Sequence, residues 1–464
     1  MFLNIEEMTA IEIRDAIALK KLSAVEVITN TLEKMSALEP KINAFITETP
    51  ELAIETAKDI DRRVMNEEKL GLLGGVPISV KDLINVGGVK TTFGSVTKKD
   101  NIVTMDAPSV ARTRAEGAAI IGKTSTTEFG SKAGGGDNPL SGVTNNPWNL
   151  SKCPGGSSAG AAASVAAGIT PVALGTDGGG SVRIPSALCG LFGIKAQFGR
   201  VPVFPTSATP TLAHVGVLSR DVKDAALLLQ VTSGYDTRDP ASVSGPVPNF
   251  LGACEESPEG LRIAWSPTLG YAKPNSEVLE ITEKAVKHFE DMGCSVDLVE
   301  RVFDENPIDL WTTDFYAGIG VTLREENRSL LDPALAEVLE KNLDHSVGSY
   351  YEKVFERARV RDKIRTFFEK YDLLLTPTLP VSHLDAKVNV PPELNDCNIV
   401  SWSYYTYPFN LTGNPAASIP CGFDKNGMPV GLQMVSGFNR EIDIFKAASS
   451  FEKRFSCKNQ MPTI

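Results

Sequence analysis

Segment 153–187 constrains the fold of this chain more than any other, because it holds two clusters in which glycines precede serine. The clusters are Gly155-Gly156-Ser157-Ser158 and Gly178-Gly179-Gly180-Ser181, and an alanine-rich stretch of helical composition and a short apolar run at 172–174 lie between them. Glycine has no Cβ, so consecutive glycines let the backbone turn sharply and let several N–H groups converge on one point. Each cluster therefore predicts a loop that binds negative charge.

The charge at such a loop is either a phosphate or the oxyanion that forms when a hydroxyl attacks a carbonyl. A phosphate loop also requires a nearby lysine or arginine in a strand-loop-helix context. The second cluster ends instead in the hydroxyl of Ser181, and the sequence Val-Arg-Ile-Pro follows it, which favours acyl transfer. One cluster alone is as well explained by a tight turn, but two in one short segment favour a site.

Residues 117–124 match the phosphate-loop expression G-x-x-x-x-G-K-T, with Lys123 as its lysine. The context is reversed, because a predicted helix precedes the motif and the supposed loop at 118–121 is entirely apolar. We predict a buried strand at this place, which argues against an ATP site.

Residues 155–186 resemble the signature motif of the amidase signature family, serine hydrolases that act on carboxamides. The family uses a Ser-Ser-Lys triad, which implies Ser181 as the nucleophile and Ser157 as the bridging serine in an unusual cis peptide. The family's lysine lies in a Gly-Val-Pro-x-x-Val-Lys-Asp stretch; residues 75–82 read Gly-Val-Pro-Ile-Ser-Val-Lys-Asp, which implies Lys81. The resemblance covers roughly residues 5–240 and 370–450, and it is weak over 250–365.

The resemblance also implies an oxyanion hole and its supports. The implied N–H donors are those of Gly178, Gly179, Gly180 and Ser181, and the implied supporting residues are Ser158, Thr176, Asp177 and Arg183. We expect Asp177 and Arg183 to brace the loop as an ion pair. The family commonly has a β-branched or similar residue at position 178 and glycine at 159, where this chain has Ala159; we expect the glycine at 178 to loosen the loop.

Lys81 closes an apolar predicted strand, which makes it unlike a solvated surface lysine. Burial disfavours the charged form of an amine and therefore lowers its pKa. A lysine that acts as a base near neutral pH must fall from about 10.4 to roughly 7 to 8, a difference of about 4 kcal/mol. Burial is able to supply a shift of this size.

Large aromatic residues mark the candidate substrate pocket. We expect Trp311 and Tyr316 in a specificity wall within 303–370, and Trp402 and Tyr405 beside the acyl or amine part of the substrate. Aromatic residues of this kind more commonly belong to the core.

The length of 464 residues alone would suggest two to three domains. The resemblance implies instead one α/β domain over 1–464, with a central mixed twisted β-sheet flanked by helices. Within it we assign 66–240 to the catalytic core, 250–370 to a variable αβ and helical segment on the substrate side, and 371–464 to the C-terminal part of the core. Capping-box spacing at Thr9 with Glu12 and at Ser23 with Glu26 predicts two amphipathic helices at the start.

The net charge and the residues near the start of the chain limit the classes of partner and the cellular location that we expect. The net charge of −11, without a long basic run, argues against nucleic acid or an anionic membrane as the main partner. Glu6 and Glu7 stand where a secretory signal would carry basic residues, which favours a cytoplasmic location. The uncharged stretch 153–176 is interrupted by Pro154 and Pro171, so we interpret it as buried core rather than a membrane span.

Cysteine and histidine usage argues against a metal centre. The seven cysteines show no C-x-x-C spacing and the four histidines form no ligand pattern. We expect reduced packing thiols, with Cys153 the first candidate for reactivity because it lies two residues before the first cluster. The resemblance implies no cofactor, and a homodimer is expected because members of the family often form one.

The predicted function is hydrolysis of a small carboxamide, or of a related hydrazide or carbamoyl compound, through a seryl acyl-enzyme. One alternative is the amidase-like glutaminase subunit of the aminoacyl-tRNA amidotransferase. That subunit typically carries an arginine and an acidic residue for glutamine, where this chain has Asn342-Leu343-Asp344-His345 and Ser403. Another alternative is an inactive amide-binding or scaffold protein, against which the complete triad argues. The sequence leaves the substrate open.

Overall fold

The computed structural model describes residues 5–324, 328–343, 345–455 and 460–464. The helices are α1 (Ala10–Ala18), α2 (Ala24–Ile42), α3 (Pro50–Met65), α4 (Pro108–Ala115), α5 (Ala159–Ala166), α6 (Arg183–Cys189), α7 (Val222–Thr232), α8 (Phe250–Ala253), α9 (Ser276–Asp291), α10 (Ile308–Thr322), α11 (Pro333–Asn342), α12 (Val347–Lys370), α13 (Pro408–Thr412) and α14 (Glu441–Phe455). The strands are β1 (Phe45–Glu48), β2 (Pro77–Lys81), β3 (Ala119–Thr124), β4 (Asp137–Asn138), β5 (Gly142–Val143), β6 (Val172–Asp177), β7 (Phe192–Lys195), β8 (His214–Ser219), β9 (Arg262–Trp265), β10 (Ser295–Leu298), β11 (Leu373–Pro377), β12 (Ala416–Phe423) and β13 (Pro429–Ser436).

One mixed sheet organises the fold. Its eleven strands lie in the order β1-β3-β2-β6-β8-β7-β12-β13-β11-β9-β10. β2 is parallel to β3 and β6, and β9 is parallel to β10 and β11, while the pairs between β6 and β11 along the sheet are antiparallel. Residues of β2, β3, β7 and β8 are buried throughout, as expected for strands covered on both faces. The predicted single α/β domain with a central mixed sheet is confirmed.

The predicted variable segment is built into this sheet. β9 and β10 come from it and extend the sheet beyond β11. Its helices α8 and α9 precede β10 in the chain, and α10 to α12 follow it. The assignment of 66–240, 250–370 and 371–464 to separate roles stays a prediction.

The local signals at the start of the chain are confirmed. The Thr9 and Ser23 hydroxyls each accept a hydrogen bond from the N–H of the glutamate three residues on, and each glutamate carboxylate accepts one from the N–H of the cap residue. Each reciprocal pair satisfies two N–H groups that the first helical turn leaves unpaired. None of the described helices is both long and apolar enough to cross a membrane.

Parallel pairing of β2 and β6 fixes where the site lies. The register aligns Ile78 with Val172 and Val80 with Leu174. Because the two strands run the same way, their last residues, Lys81 and Asp177, lie at the same edge of the sheet. The helix α5 lies between the two glycine-serine clusters in the chain. It packs closely against the residue that follows β3, because a Cβ on Gly160 would lie 2.5 Å from Ser125 N. Only glycine permits this approach.

The apparent phosphate loop is a strand. Lys123 lies in β3 with a fully buried side chain, and its Nζ is 2.8 Å from Asp82 Oδ1 and 2.8 Å from Thr91 Oγ1. Its ammonium is thus committed to a buried ion pair, so the prediction against an ATP site agrees with the structure.

Replacing Lys123 with methionine leaves the Asp82 carboxylate buried without its cation, although Thr92 N–H still donates to it at 2.8 Å. We expect the apparent free energy of unfolding in denaturant to fall by roughly 3 to 5 kcal/mol. The double variant with Asp82→Asn should lose less, because no charge is then left unpaired. A Lys123→Met protein as stable as the parent would contradict the ion pair.

Candidate active site

Lys81 is buried at the end of β2 and lies against the first serine cluster. Its side chain is inaccessible to solvent, and its Nζ lies 2.7 Å from Ser157 Oγ and 2.8 Å from Thr176 Oγ1. Burial lowers the pKa of this amine well below its ordinary value, and the nearby charge of Asp177 opposes the shift only in part. Burial therefore favours the uncharged form of this amine.

The loop of Ser157 precedes α5 and lies against the second cluster. The peptide bond between Gly156 and Ser157 is cis, as the resemblance implies. Ser158 N–H donates to the carbonyl oxygen of Ser181 at 3.3 Å, and the Ser158 hydroxyl donates to the Thr176 carbonyl at 3.2 Å. These two bonds hold the clusters side by side, so that Ser157 and Ser181 both line one cavity.

The second loop is held by the Asp177 carboxylate. Gly180 N–H donates to Asp177 Oδ1 at 2.7 Å and Val182 N–H donates to Oδ2 at 3.2 Å. Arg183 donates to both carboxylate oxygens, from Nη2 to Oδ1 at 2.9 Å and from Nε to Oδ2 at 3.0 Å. Burial alone would raise the pKa of Asp177, but the Arg183 guanidinium, the nearby Lys195 and the hydrogen bond from Asn410 together outweigh it and the pKa falls. The structure places these two residues in the predicted ion pair, with both side chains fully buried.

The hydrogen bonds of this loop revise the predicted set of donors. Among the described residues, the N–H groups of Gly178, Gly179 and Ser181 donate no hydrogen bond. The N–H of Gly180 is already engaged by Asp177. Three of the four predicted donors are thus available to a ligand, and Gly180 is not.

The three glycines are required by close packing. A Cβ on Gly178 would lie 2.9 Å from Phe315 Cε2, and one on Gly179 would lie 2.6 Å from Trp311 Cζ2. Gly180 has a φ of +133° and a Cβ there would overlap Thr406. The expectation that glycine at 178 loosens the loop is therefore wrong, because the ring of Phe315 fills the space of a side chain.

A large apolar cavity of about 330 Å³ opens beside the two serines. The charged side chains in its wall are Lys98 and Asp177, and Arg183 already pairs Asp177. His214 also lines it, and burial lowers the pKa of its imidazole well below the ordinary value, so the ring is neutral. Most of the wall is apolar, including Phe93, Phe129, Phe204, Phe315, Ile319 and Leu323.

A second, much smaller cavity of about 10 Å³ also touches Ser181. It shares Gly130, Ser181 and Phe315 with the large cavity, but Ser157 does not line it. Its own wall consists of Ser131, Lys132, Ala133, Gly179, Ile184, Trp311 and Val400. The amine of Lys132 is held by Asp137 and Asp332 at 2.8 and 2.6 Å, so its charge is not free for a ligand.

The predicted pocket aromatics have different places. Trp311 lines the small cavity, and its Nε1–H donates to Gly178 O at 2.8 Å. Tyr316 lines neither cavity; its hydroxyl donates to Ser131 O at 3.0 Å. Trp402 and Tyr405 are buried in the core, where they donate to Asn389 O and Pro267 O. The structure therefore brings only Trp311 of the four to a cavity.

Cys153 is unsuited to the reactivity considered for it. Its side chain is fully buried, and burial raises the pKa of its thiol to about 12. A nucleophilic cysteine must be a thiolate, so Cys153 is a packing residue.

The cavity walls contain residues that sequence reasoning missed. Phe93 and Phe129 stack with their ring centroids 5.9 Å apart, and both have φ in the left-handed region, at 56° and 50°. Ser131 lies in the wall of the small cavity, and its buried hydroxyl has no partner among the described residues. No spacing in the sequence distinguishes such residues from ordinary core and loop positions.

The comparisons with known proteins agree with this geometry. The family model described as Amidase matches residues 26–444. An acylamidase from Rhodococcus erythropolis is 36% identical over 462 residues, covering 97% of this chain and 96% of the relative. One subunit of the glutamyl-tRNA(Gln) amidotransferase from Alkaliphilus metalliredigens (strain QYMF) is 32% identical over 491 residues, covering 99% of each.

Solved structures show the same fold. A bacterial aryl acylamidase of the amidase signature enzymes superposes with a TM-score of 0.92 at 29% identity, covering 98% of both chains. A 6-aminohexanoate cyclic dimer hydrolase complexed with substrate superposes with a TM-score of 0.90 at 25% identity, covering 99% of both. The predicted family is confirmed: this chain belongs to the amidase family and is an amidohydrolase.

Proposed function

We propose that the chain hydrolyses uncharged, apolar carboxamides, with Ser181 as nucleophile, Ser157 as proton relay and Lys81 as base. The observation that carries this proposal is the fully buried Lys81 amine 2.7 Å from Ser157 Oγ. A lysine in that place serves as a base only when it is uncharged, and burial keeps it so.

The hydrogen bonds around Lys81 suit a neutral amine. Such an amine has two N–H donors and one lone pair. Thr176 offers two acceptors, its hydroxyl at 2.8 Å and its carbonyl at 3.4 Å, and these satisfy both donors. The lone pair is then left for the proton of the Ser157 hydroxyl, which is the direction a base requires.

The reaction follows from this arrangement in two halves. Lys81 accepts the proton of Ser157, Ser157 accepts that of Ser181, and Ser181 Oγ bonds to the carbonyl carbon. The relay then returns a proton to the nitrogen, the C–N bond breaks and the amine leaves. Water attacks the acyl-enzyme by the same relay, and the C–Oγ bond breaks to release the carboxylic acid and regenerate Ser181.

The free backbone donors support the charge that forms during attack. The N–H groups of Gly178, Gly179 and Ser181 are the candidates for the oxyanion hole, since that of Gly180 serves Asp177. Each donor removed from such a hole costs about 3 to 4 kcal/mol in comparable hydrolases. Asp177 and Arg183 take no part in the chemistry in this proposal; they hold the loop in place.

The walls of the large cavity support the substrate class. Most of the wall is apolar, so an ionic substrate would lose hydration over most of its surface, which is costly. An apolar amide gains about 25 cal/mol for each Å² of surface it buries. The acylamidase and aryl acylamidase among the similar proteins are consistent with such a substrate.

The glutaminase subunit is the second candidate, favoured by the 32% identity between this chain and its relative in the amidotransferase. Glutamine carries an ammonium and a carboxylate, and each needs a charged partner. Ser403 is buried and donates to Val400 O, and Asn342 donates to Val338 O within its own helix; Asp344 lies outside the described residues. Ammonia release from glutamine that exceeds release from apolar amides would favour this candidate.

The inactive scaffold is the third reading, and covalent labelling separates it from the others. A fluorophosphonate should attach to Ser181 in the parent protein and fail to attach in Ser181→Ala. The homodimer and the cytoplasmic location remain predictions from the sequence and the family resemblance.

Replacing Lys81 with methionine should lower turnover of acetanilide by roughly 10⁴-fold or more, as loss of a triad member does elsewhere. The variant should also be more stable at pH 7, since an ordinary solvated lysine must lose its proton to be buried uncharged, which costs roughly 4 to 5 kcal/mol at that pH, and methionine has no such cost. Steady-state kinetics and thermal unfolding test both. A loss of activity with a lower melting temperature would not support the proposed role.

Ser109→Ala is the matched control for Ser181→Ala. Its hydroxyl is buried and has no partner among the described residues, and it lines neither cavity. We expect Ser109→Ala to retain parental turnover and Ser181→Ala to lose it while both fold. Equal activities of the two variants would contradict Ser181 as the nucleophile.

The pH profile should report the titration of Lys81. The folded pKa is lowered, so kcat/KM rises as pH increases through that value and the amine loses its proton, then levels off. The rising limb should lie well below the ordinary lysine pKa of about 10.4. A limb at the ordinary value, or activity that falls over the same range, would contradict a neutral buried base.

A further inference from the structure

The direction of a backbone N–H group is tied to the carbonyl oxygen of the same peptide unit. The two bonds point in opposite directions across a planar trans peptide, and the peptide bonds from Asp177 to Ser181 are trans. A neighbour that holds the carbonyl oxygen of one residue therefore fixes the direction of the N–H of the next residue. This applies to the three candidate oxyanion donors, the N–H groups of Gly178, Gly179 and Ser181.

The indole of Trp311 fixes the direction of the Gly179 donor. Trp311 Nε1–H donates to Gly178 O at 2.8 Å, so the N–H of Gly179 points away from the indole nitrogen. The ring is 1% exposed, and it stacks on Phe315 with the ring centroids 4.3 Å apart. A Cβ on Gly179 would lie only 2.6 Å from Trp311 Cζ2. The indole N–H is therefore held in place by close packing of the ring.

The carbonyl partners of the other two donors are held by different groups. Asp177 O accepts from Asn410 Nδ2 at 3.0 Å, and Gly180 O accepts from Ile184 N–H at 2.7 Å. Ile184 acts through its backbone, which most substitutions leave in place. Asn410 also donates to Asp177 Oδ1 at 2.9 Å, so its replacement would disturb the carboxylate as well. The Trp311 hydrogen bond is the one of the three that can be removed separately.

We infer that Trp311 is a positioning residue for the reaction, because its indole N–H directs the Gly179 N–H by holding the Gly178 carbonyl. This inference rests on the proposed function and deepens it. Both halves of the reaction pass through a tetrahedral oxyanion, so a misdirected donor slows acylation and deacylation alike. The carbonyl of the bound substrate has less charge to stabilise, so substrate binding changes little.

The test removes the indole N–H and keeps the ring. Benzothienylalanine, introduced at position 311 alone, has sulfur in place of the N–H and nearly the same shape. A whole oxyanion donor is worth roughly 10² to 10³ in kcat. We therefore expect kcat for acetanilide to fall by about 10- to 100-fold, and KM to change by less than about threefold, when this donor is misdirected. A kcat within about twofold of the parent value would overturn the inference.

Trp402 provides the matched control. Its side chain is likewise buried and its Nε1–H donates to Asn389 O at 3.0 Å, but it lines neither cavity. Benzothienylalanine at position 402 removes an equivalent indole hydrogen bond in the core. We expect parental kcat, with a melting temperature lowered about as much as by the replacement at 311. Equal losses of kcat at the two positions would indicate a general effect of destabilisation and would overturn the inference.

A trifluoromethyl ketone gives a second readout that a purely structural role would not move. Ser181 Oγ adds to its carbonyl carbon, the serine proton passes through Ser157 to Lys81, and the ketone oxygen becomes an oxyanion. We expect the replacement at 311 to lower the affinity for phenethyl trifluoromethyl ketone by about tenfold or more. Phenethyl methyl ketone, which binds without this addition, should lose little. Equal losses for the two ketones would contradict a role at the oxyanion.

Ser181→Ala separates failure of this inference from failure of the proposed function. Acetanilide turnover that persists in Ser181→Ala would refute the proposed nucleophile and the inference with it. Turnover that depends on Ser181 but not on the indole N–H at position 311 would refute only the role of Trp311.

Discussion

The buried amine of Lys81 is the feature on which the rest of the site depends. It lies without solvent access between the Ser157 hydroxyl and two oxygens of Thr176. Parallel pairing of β2 with β6 brings these groups together, since it aligns Val80 with Leu174 and ends both strands at one edge. A shift of this register would move the amine away from its partners. The pairing of these two buried strands therefore determines which side chains meet at their C-terminal ends.

The charge of the Asp177 carboxylate favours the protonated form of the Lys81 amine. Asp177 follows Thr176 directly, and its charge acts to raise the pKa of Lys81. Arg183 contacts both carboxylate oxygens, and its guanidinium also contacts Asn410, Gln433 and the Thr406 carbonyl. The guanidinium thus offsets the carboxylate charge at short range. The same carboxylate orients the loop at 178–181 by accepting from the N–H groups of Gly180 and Val182, so one ion pair both shapes this loop and limits the electric field at the Lys81 amine.

Sequence reasoning reached the parts of the site that depend on local chemistry. The serine clusters, the buried lysine and the helix caps at Thr9 and Ser23 are encoded within a few residues of chain, and family resemblance assigned the roles of Lys81, Ser157 and Ser181. The cavity walls depend on distant contacts. Phe315 meets Gly178 although the two residues lie far apart in the chain, and no periodicity reports that contact. Trp402 and Tyr405 are residue types that commonly line substrate pockets, yet the fold places both in the core.

Helix α10 contacts the loop at 178–181 and also lines both cavities. Trp311 donates a hydrogen bond to Gly178 O in the loop at 178–181 and lines the small cavity, while Phe315 lies against Gly178 and lines both cavities. Ile319, one turn further on, lines only the large cavity. Changes near the start of α10 therefore alter the loop geometry together with the small cavity, whereas changes near its end alter the large cavity alone. Residues that line only the large cavity can therefore be changed with less effect on the loop at 178–181 than residues that line the small cavity.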